Sequence, residues 1–441
     1  MSGRHESDAV ENLAALIRIP TVSDRDPSRV DAAAFVEFGR ELARRYPLLH
    51  ELERTSIAEH GLLVHWPGAS DERPVVLMAH LDVVPVEGEW THPAFGGDVV
   101  DGAIWGRGTL DDKGQLVAIC EAVEALLAEG FVPAQDVWLS FGCTEEVSGP
   151  GAADAVAELS ARGVAPWFVL DEGGAIAHDA FPGVSTPLGV IGVTEKGVTS
   201  LELRVEGRGG HASTPARRGP TARIARAVTR LDASSMPARI PEPTLELFRR
   251  MARRAPLALR PLMANAGRLG PVLARALAAA GPEAASMART TFAVTTLSGS
   301  PALNVVAQTA RAGVNIRVMV GDTVAEAIEH VRRTIGDDRV QIDVVEASEP
   351  SPVSPRDEAF ELLEATIGEV FPDAVATPYV MMAATDSRFF TTICERVYRF
   401  APFRMSKAQR EAIHSYDEHL GVEDFLDGIR WYRRLIEGLP R

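Results

Sequence analysis

The sequence predicts an α/β protein in which a mainly parallel sheet, flanked by helices, is interrupted by a second, α+β unit. Three observations predict it. Short apolar runs alternate with amphipathic segments through the first half, as when parallel strands are joined by crossover helices. From about Lys196 the texture changes to segments that alternate apolar and polar residues, the pattern of a half-exposed antiparallel sheet. The chain, at 441 residues, also exceeds what one hydrophobic core usually serves.

Taken in order, Ser7 is a candidate cap for a helix through ENLAALIRI, and DAAAFVEFGRELARR forms a second helix. The runs 74–80 (PVVLMAH), 136–142 (DVWLSFG) and 167–173 (WFVLDEG) read as buried strands. Helices QLVAICEAVEALLAEG and GAADAVAELSARG lie between them, and Asp101-Gly102 marks a hairpin turn. VTSLELRVEG, RTTFAVTTLSG and TARAGVNIRVMVG supply the antiparallel strands, with helices at RIARAVTRLD and VAEAIEHVRRTI. Residues 243–287 are rich in Ala, Leu and Arg and read as additional helix of this second unit. EPSPVSP (349–355) is a return linker, and the helical tail rejoins the first unit. The expected division is 1–195 with 349–441, and 196–348 inserted between them.

Composition narrows the function. A net charge of −16 argues against a nucleic-acid partner and an anionic membrane surface, but suits a pocket that gathers cations. No run approaches the ~18–20 apolar residues of a membrane span, and the N-terminus lacks a signal-peptide core. Cys120, Cys143 and Cys394 form no paired framework and read as buried free thiols. A cytoplasmic, reduced protein is expected.

Acidic and imidazole residues fall at the ends of the expected strands: His80 and Asp82, Glu145 and Glu146, and Asp171. An open α/β sheet binds its ligands beyond the carboxyl ends of its strands. One terminal carboxylate is usually a solvated residue or a helix cap; three strand ends delivering donors to one edge are not. Residues two apart on an extended strand share a side, so the Asp82 carboxylate is placed to accept from His80 and fix its tautomer. Adjacent Glu145 and Glu146 point opposite ways, and two such like charges are tolerable when a cation lies nearby. An N/O donor set without thiolate suits Zn, Mn or Co, and a carboxylate such as Asp111 is able to bridge two ions.

At this point AHLDVVP, GRGTLDDKG, CTEEVSG, LDEGG and GGHASTP, in this order, resemble the aminoacylase/carboxypeptidase family of co-catalytic zinc metallopeptidases. VTEKG, RTTFAVTTLSG, LNVVAQTARAGVNIRV and TDSRFF followed by YRFAPF are similar to its carboxypeptidase S and N-fatty-acyl-amino-acid hydrolase subgroup. The resemblance implies a zinc-exopeptidase-like sheet with an inserted α+β lid that also serves dimerisation. It implies two zinc ions, replaceable by Co or Mn: His80, Asp111 and Asp171 hold one, and Asp111, Glu146 and His414 the other. A cis peptide joins Asp111 to Asp112. Glu145 is the general base, Asp82 orients His80, and His211 stabilises the oxyanion, in its own site or that of a partner subunit. Asn304 and Arg317 bind the substrate carboxylate. The implied reaction releases a C-terminal amino acid from a short peptide or N-acyl amino acid. The alternatives are a biosynthetic N-deacylase (acetylornithine or succinyl-diaminopimelate type) and a non-catalytic metal-binding relative. The other eight of the 11 histidines, His419 included, have no motif context.

Overall fold

The computed structural model describes residues 3–181, 184–215 and 217–441. Strands Val137–Gly142, Val75–His80 and Phe168–Asp171 lie side by side and parallel at the centre of a ten-stranded sheet. All of their residues except Gly142 are buried. Such strands face apolar neighbours on both sides, which explains runs without alternation. Val75, Leu77 and Ala79 pack into the larger core with helix Lys113–Ala128, while Val76 and Met78 pack on the opposite face with helix Gly151–Ala161. Val397–Arg399 extends the parallel set. Leu188–Glu195 then runs antiparallel to it and pairs in parallel with Val375–Met381. On the other flank Gly61–Trp66 and Glu53–Ile57 close the sheet as an antiparallel hairpin.

Four antiparallel strands, Thr291–Ser298, Thr309–Val318, Gly197–Glu206 and Gln341–Ser348, build a second sheet. Gly197–Glu206 alternates buried and half-buried positions almost throughout. Its buried side (Leu201, Leu203, Val205) packs with Ile224 and Leu231 of helix Pro220–Asp232 and Val331 of helix Val324–Ile335. The second helix is well delimited. Thr323 and Glu326 form a reciprocal capping box at its start, and Gly336 ends it at φ 54°.

Three details depart from the sequence reading. The first helix is Gly3–Ile17, so Ser7 lies inside it and caps nothing. The helices between Glu242 and Ser286, assigned from sequence to the second unit, do not join its core. Leu247, Phe248 and Met251 pack instead with Leu188 and against Val375 and Tyr379 of the large sheet. The 349–355 stretch is stitched down rather than free: Ser351 Oγ accepts the Glu195 N–H at 2.9 Å, and Ser354 Oγ donates to the Val397 carbonyl at 2.8 Å. The Asp101-Gly102 hairpin forms as expected, with φ of 51° and 75° between Asp98–Val100 and Ala103–Trp105.

Candidate active site

The three central strands end together. His80 closes its strand opposite Gly142, Glu145 and Glu146 follow Gly142 by three and four residues, and Asp171 closes the third strand. His80, Glu145, Asp171 and Asp386 line one small pocket at this edge. Asp111 stands at the centre of the donor cluster. His80 Nε2 lies 3.0 Å from its Oδ1, and His414 Nε2 lies 2.9 Å from its Oδ2. His414 is also 3.0 Å from Glu146 Oε2. Donor atoms of His80, Asp111 and Glu146 all fall within 4.8 Å of one another. The Asp111–Asp112 peptide bond is cis.

The electrostatics of the cluster favour positive charge. Burial pulls the His80 imidazole down, but the Asp111 and Asp82 carboxylates outweigh it and hold the ring well above its usual range. Hydrogen bonds to Asp111 and Glu146 raise His414 to about 10. Glu146 Oε1 is buried without a partner, a state that costs on the order of 1–3 kcal/mol if nothing fills it. Imidazoles and carboxylates without thiolate, one carboxylate shared between two rings and one orphaned oxygen together fit a pair of divalent metals. Burial raises both glutamates: at Glu146 the hydrogen bond with His414 opposes the rise, whereas at Glu145 the charges of Asp386, Glu172 and Asp111 add to it and push the carboxyl well above the ordinary range despite His80. A carboxyl poised to carry a proton in a cleft suits acid–base work.

Two expected contacts take another form. The Nδ1 of His80 bonds the backbone carbonyl of Asp82 at 2.9 Å, while the Asp82 carboxylate stands 3.5 Å away. That carboxylate instead accepts the Ser23 hydroxyl and the N–H groups of Glu145 and Glu146, so it fixes the loop that bears both glutamates. Asp171 lines the pocket, and its Oδ2 accepts the Ser387 N–H at 2.9 Å. The second sheet divides the remaining residues. A separate two-stranded ladder of Gly210–His211 and Val305–Val306, which follows the Glu206 and Thr309 end of that sheet, places His211 beside Asn304, with the Ala212 N–H bonded to the Asn304 carbonyl. Both are exposed. Arg317 lies eight residues from Thr309, the position opposite Glu206, and so roughly 27 Å along the strand at ~3.4 Å per residue. One chain therefore does not bring Asn304 and Arg317 together.

Glu418 is the residue that the sequence reading overlooked. Fully buried, it accepts the N–H groups of Gly108, Leu110 and Asp111 through Oε1 and pairs with Arg107 at 2.6 Å. It thereby sets the position of the shared aspartate. Its signal in the sequence is slight: an acid four residues past His414, within AIHSYDEH. Lys113 anchors the same turn from below, donating to the carbonyls of Leu16 and Ile19 at 3.2 and 2.7 Å with Phe38 beneath it.

A parallel sheet whose C-terminal edge gathers a shared aspartate, two imidazoles and a pair of glutamates raised by burial fits a metal-dependent hydrolase. Residues 76–438 match peptidase family M20/M25/M40, and the chain belongs to that family. It is accordingly a metallopeptidase or amidohydrolase, an enzyme that hydrolyses amide bonds. It is 35% identical to the probable carboxypeptidase S-like 2 of Dictyostelium discoideum, over 98% of this chain and 85% of that protein. It is 34% identical to the N-fatty-acyl-amino acid synthase/hydrolase PM20D1 of Homo sapiens, over 97% and 87%. In fold it is similar to the M20 family metallo-carboxypeptidase Sso-CP2 of Sulfolobus solfataricus, with a TM-score of 0.71 at 16% identity over 97% and 98% of the two chains.

Proposed function

We propose that the enzyme releases a C-terminal amino acid from short peptides or N-acyl amino acids, using two zinc ions for which cobalt or manganese substitutes. The observation that carries this reading is Asp111, whose two oxygens each face an imidazole while Glu145 lines the adjoining pocket. The relatives named as a carboxypeptidase S and as N-fatty-acyl-amino acid hydrolases support the substrate class. His80, Asp111 and Asp171 would hold one ion, and Asp111, Glu146 and His414 the other. When bound, the ions supply Lewis acidity at the scissile carbonyl. Glu145 takes the proton of the attacking water and delivers it to the departing amine. Asp82 keeps Glu145 and Glu146 in place through their backbone, and Glu418 does the same for Asp111.

Arg317 supplies the receptor for the substrate carboxylate. It is half-buried at the junction of the two sheets, and no hydrogen bond or ion pair engages its guanidinium among the described residues. Burial, and then the charge of Arg388, hold it below its usual range. An unpaired guanidinium fork beside the cleft suits a carboxylate. His211 and Asn304, at the two-stranded ladder beyond the far end of the Arg317 strand, act in the site of a second subunit, which makes the working form a homodimer. The deciding experiment is a panel of dipeptides and N-acyl amino acids scored by released amino acid, with metal content measured on the same sample. Two bound zincs and release of the C-terminal residue are expected. A fully loaded protein that hydrolyses nothing in the panel, or that accepts acetylornithine or succinyl-diaminopimelate alone, overturns the reading.

A further inference from the structure

A cavity of about 880 Å³ lies where the helices Glu242–Met251, Arg260–Ala264 and Ala266–Ala279 pack beside Asp179, Ala180, Phe181, Val184 and Ser185. Its size falls within the ~300–1,000 Å³ of small-molecule sites, whereas close-packed interiors rarely leave voids much larger than a water. Among the described residues it shares no lining residue with the pocket of His80, Glu145 and Asp171. The walls are apolar. Phe181 and Phe248 meet edge to face at 5.8 Å, Leu273 and Leu277 line the wall helix, and Ala276 and Ala280 present only methyl groups there. That helix, at 14 residues, runs roughly 21 Å, long enough to flank an extended chain.

Among the described residues, charge in the lining comes from Asp179, Lys407 and Arg410. Arg410 already serves the carbonyls of His178 and Met405. Lys407 is more than half exposed and makes a loose 3.6 Å pair with Glu411 within its own helix. Its ammonium is thus the group able to turn to a ligand. The helix Lys407–Ala412 ends two residues before His414, so whatever occupies the cavity sits against the element that delivers a metal-binding histidine.

We propose that this cavity binds a single long alkyl chain ended by a carboxylate, with the chain among Phe181, Phe248, Leu273 and Leu277 and the head at Lys407. Two sources share that chemistry: a free long-chain carboxylate, and an N-acyl amino acid whose head reaches the metal cluster. The absence of any shared lining residue favours the first, a site apart from the catalytic cleft.

The test is a fluorescence titration of the purified metal-loaded protein with a dansyl-labelled long-chain carboxylate, displaced by octanoate, dodecanoate and hexadecanoate. Affinity is expected to rise about fourfold per added methylene, the increment that burying a CH₂ provides. Ala276→Phe, which fills the lumen, is expected to weaken hexadecanoate by about tenfold or more. Lys407→Glu reverses the head-group charge at an exposed position and is expected to weaken it several-fold with Tm unchanged. Saturating acetohydroxamate, a ligand for the metals, is expected to leave the probe bound. Affinity independent of chain length, or unchanged in both variants, overturns the proposal; displacement by acetohydroxamate overturns the separate site and assigns the chain to the metal cleft. None of these readouts requires turnover, so they stand apart from the fate of the proposed reaction.

Discussion

Glu145 and Glu146 are neighbours in sequence but not in chemistry, and what surrounds each carboxylate sets the difference. Burial raises both, but Glu146 has an imidazole at 3.0 Å that opposes the rise and an orphaned oxygen, whereas at Glu145 the charges of Asp386, Glu172 and Asp111 add to it. Glu145→Gln is therefore expected to retain metal and lose ~10²–10⁴-fold or more in turnover; near-native kcat at full metal content sinks its role. Glu418→Gln tests the overlooked residue. It removes the charge that pairs with buried Arg107 and weakens the acceptor of three N–H groups. A loss of about 1–3 kcal/mol in unfolding free energy, with faster metal loss to a chelator, is the expected outcome. Lys113→Arg forces a wider group between two carbonyls in a fully buried site and is expected to cost about 1–3 kcal/mol; an unchanged denaturation midpoint returns Lys113 to chance. The cluster of His80, Asp111, Glu146 and His414 was legible because each residue lies in a motif of matching order. The tasks of Asp82 and Glu418 were not, because both act on backbone N–H groups 63 to 310 residues away in sequence, and no local pattern encodes such a pairing.

At the scale of elements, legibility followed burial. The central strands were readable because burial on both faces demands unbroken apolar runs. The second sheet was readable because one face is packed and the alternation survives. Helices 242–286 were recognisable as helices, but amphipathicity says only that a face is buried and not against which partner, so their seat on the large sheet was lost. The strand Leu188–Glu195 passes directly into Gly197–Glu206, and Lys196 is the joint. Its ammonium is nearly inaccessible and donates to the Arg289 carbonyl at 3.0 Å. Burial, and then the charge of Arg317, lower it from 10.5 to about 8. The unfolded chain keeps this proton up to about 10.5 and the native chain releases it at about 8, so within that window the unfolded state binds more protons and stability rises with pH. Lys196→Met is expected to flatten that rise, a difference of at most roughly 3 kcal/mol across the window; parallel denaturation curves for the two proteins from pH 7.5 to 10 contradict it.

At the scale of the whole molecule, the proposed homodimer is tested by asking which subunit would complete which site. The metal cluster and Glu145 sit on the large sheet, while His211 and Asn304 stand exposed beyond the end of the second sheet remote from Arg317. In the proposed two-fold dimer each subunit would offer its far end to its partner's cleft. Near His211 the apolar side chains of Leu303 and Val305 are exposed, as an interface residue is in an isolated chain. Mixing decides the matter. His211→Ala lacks the partner's contribution and Glu145→Gln lacks the base, so each homodimer is expected to be nearly inactive. If His211 acts across the interface, a heterodimer holds one site with Glu145 from the first chain and His211 from the second, and that site is complete. Random reassociation of equal amounts then restores about a quarter of wild-type activity, because half of the dimers are mixed and each carries one good site. If His211 acts within its own chain, every site in the mixture lacks one of the two groups and activity stays at the level of the separate variants. The same mixture run by native mass spectrometry shows whether mixed dimers formed, so silence with mixed dimers present rules out the two-subunit site.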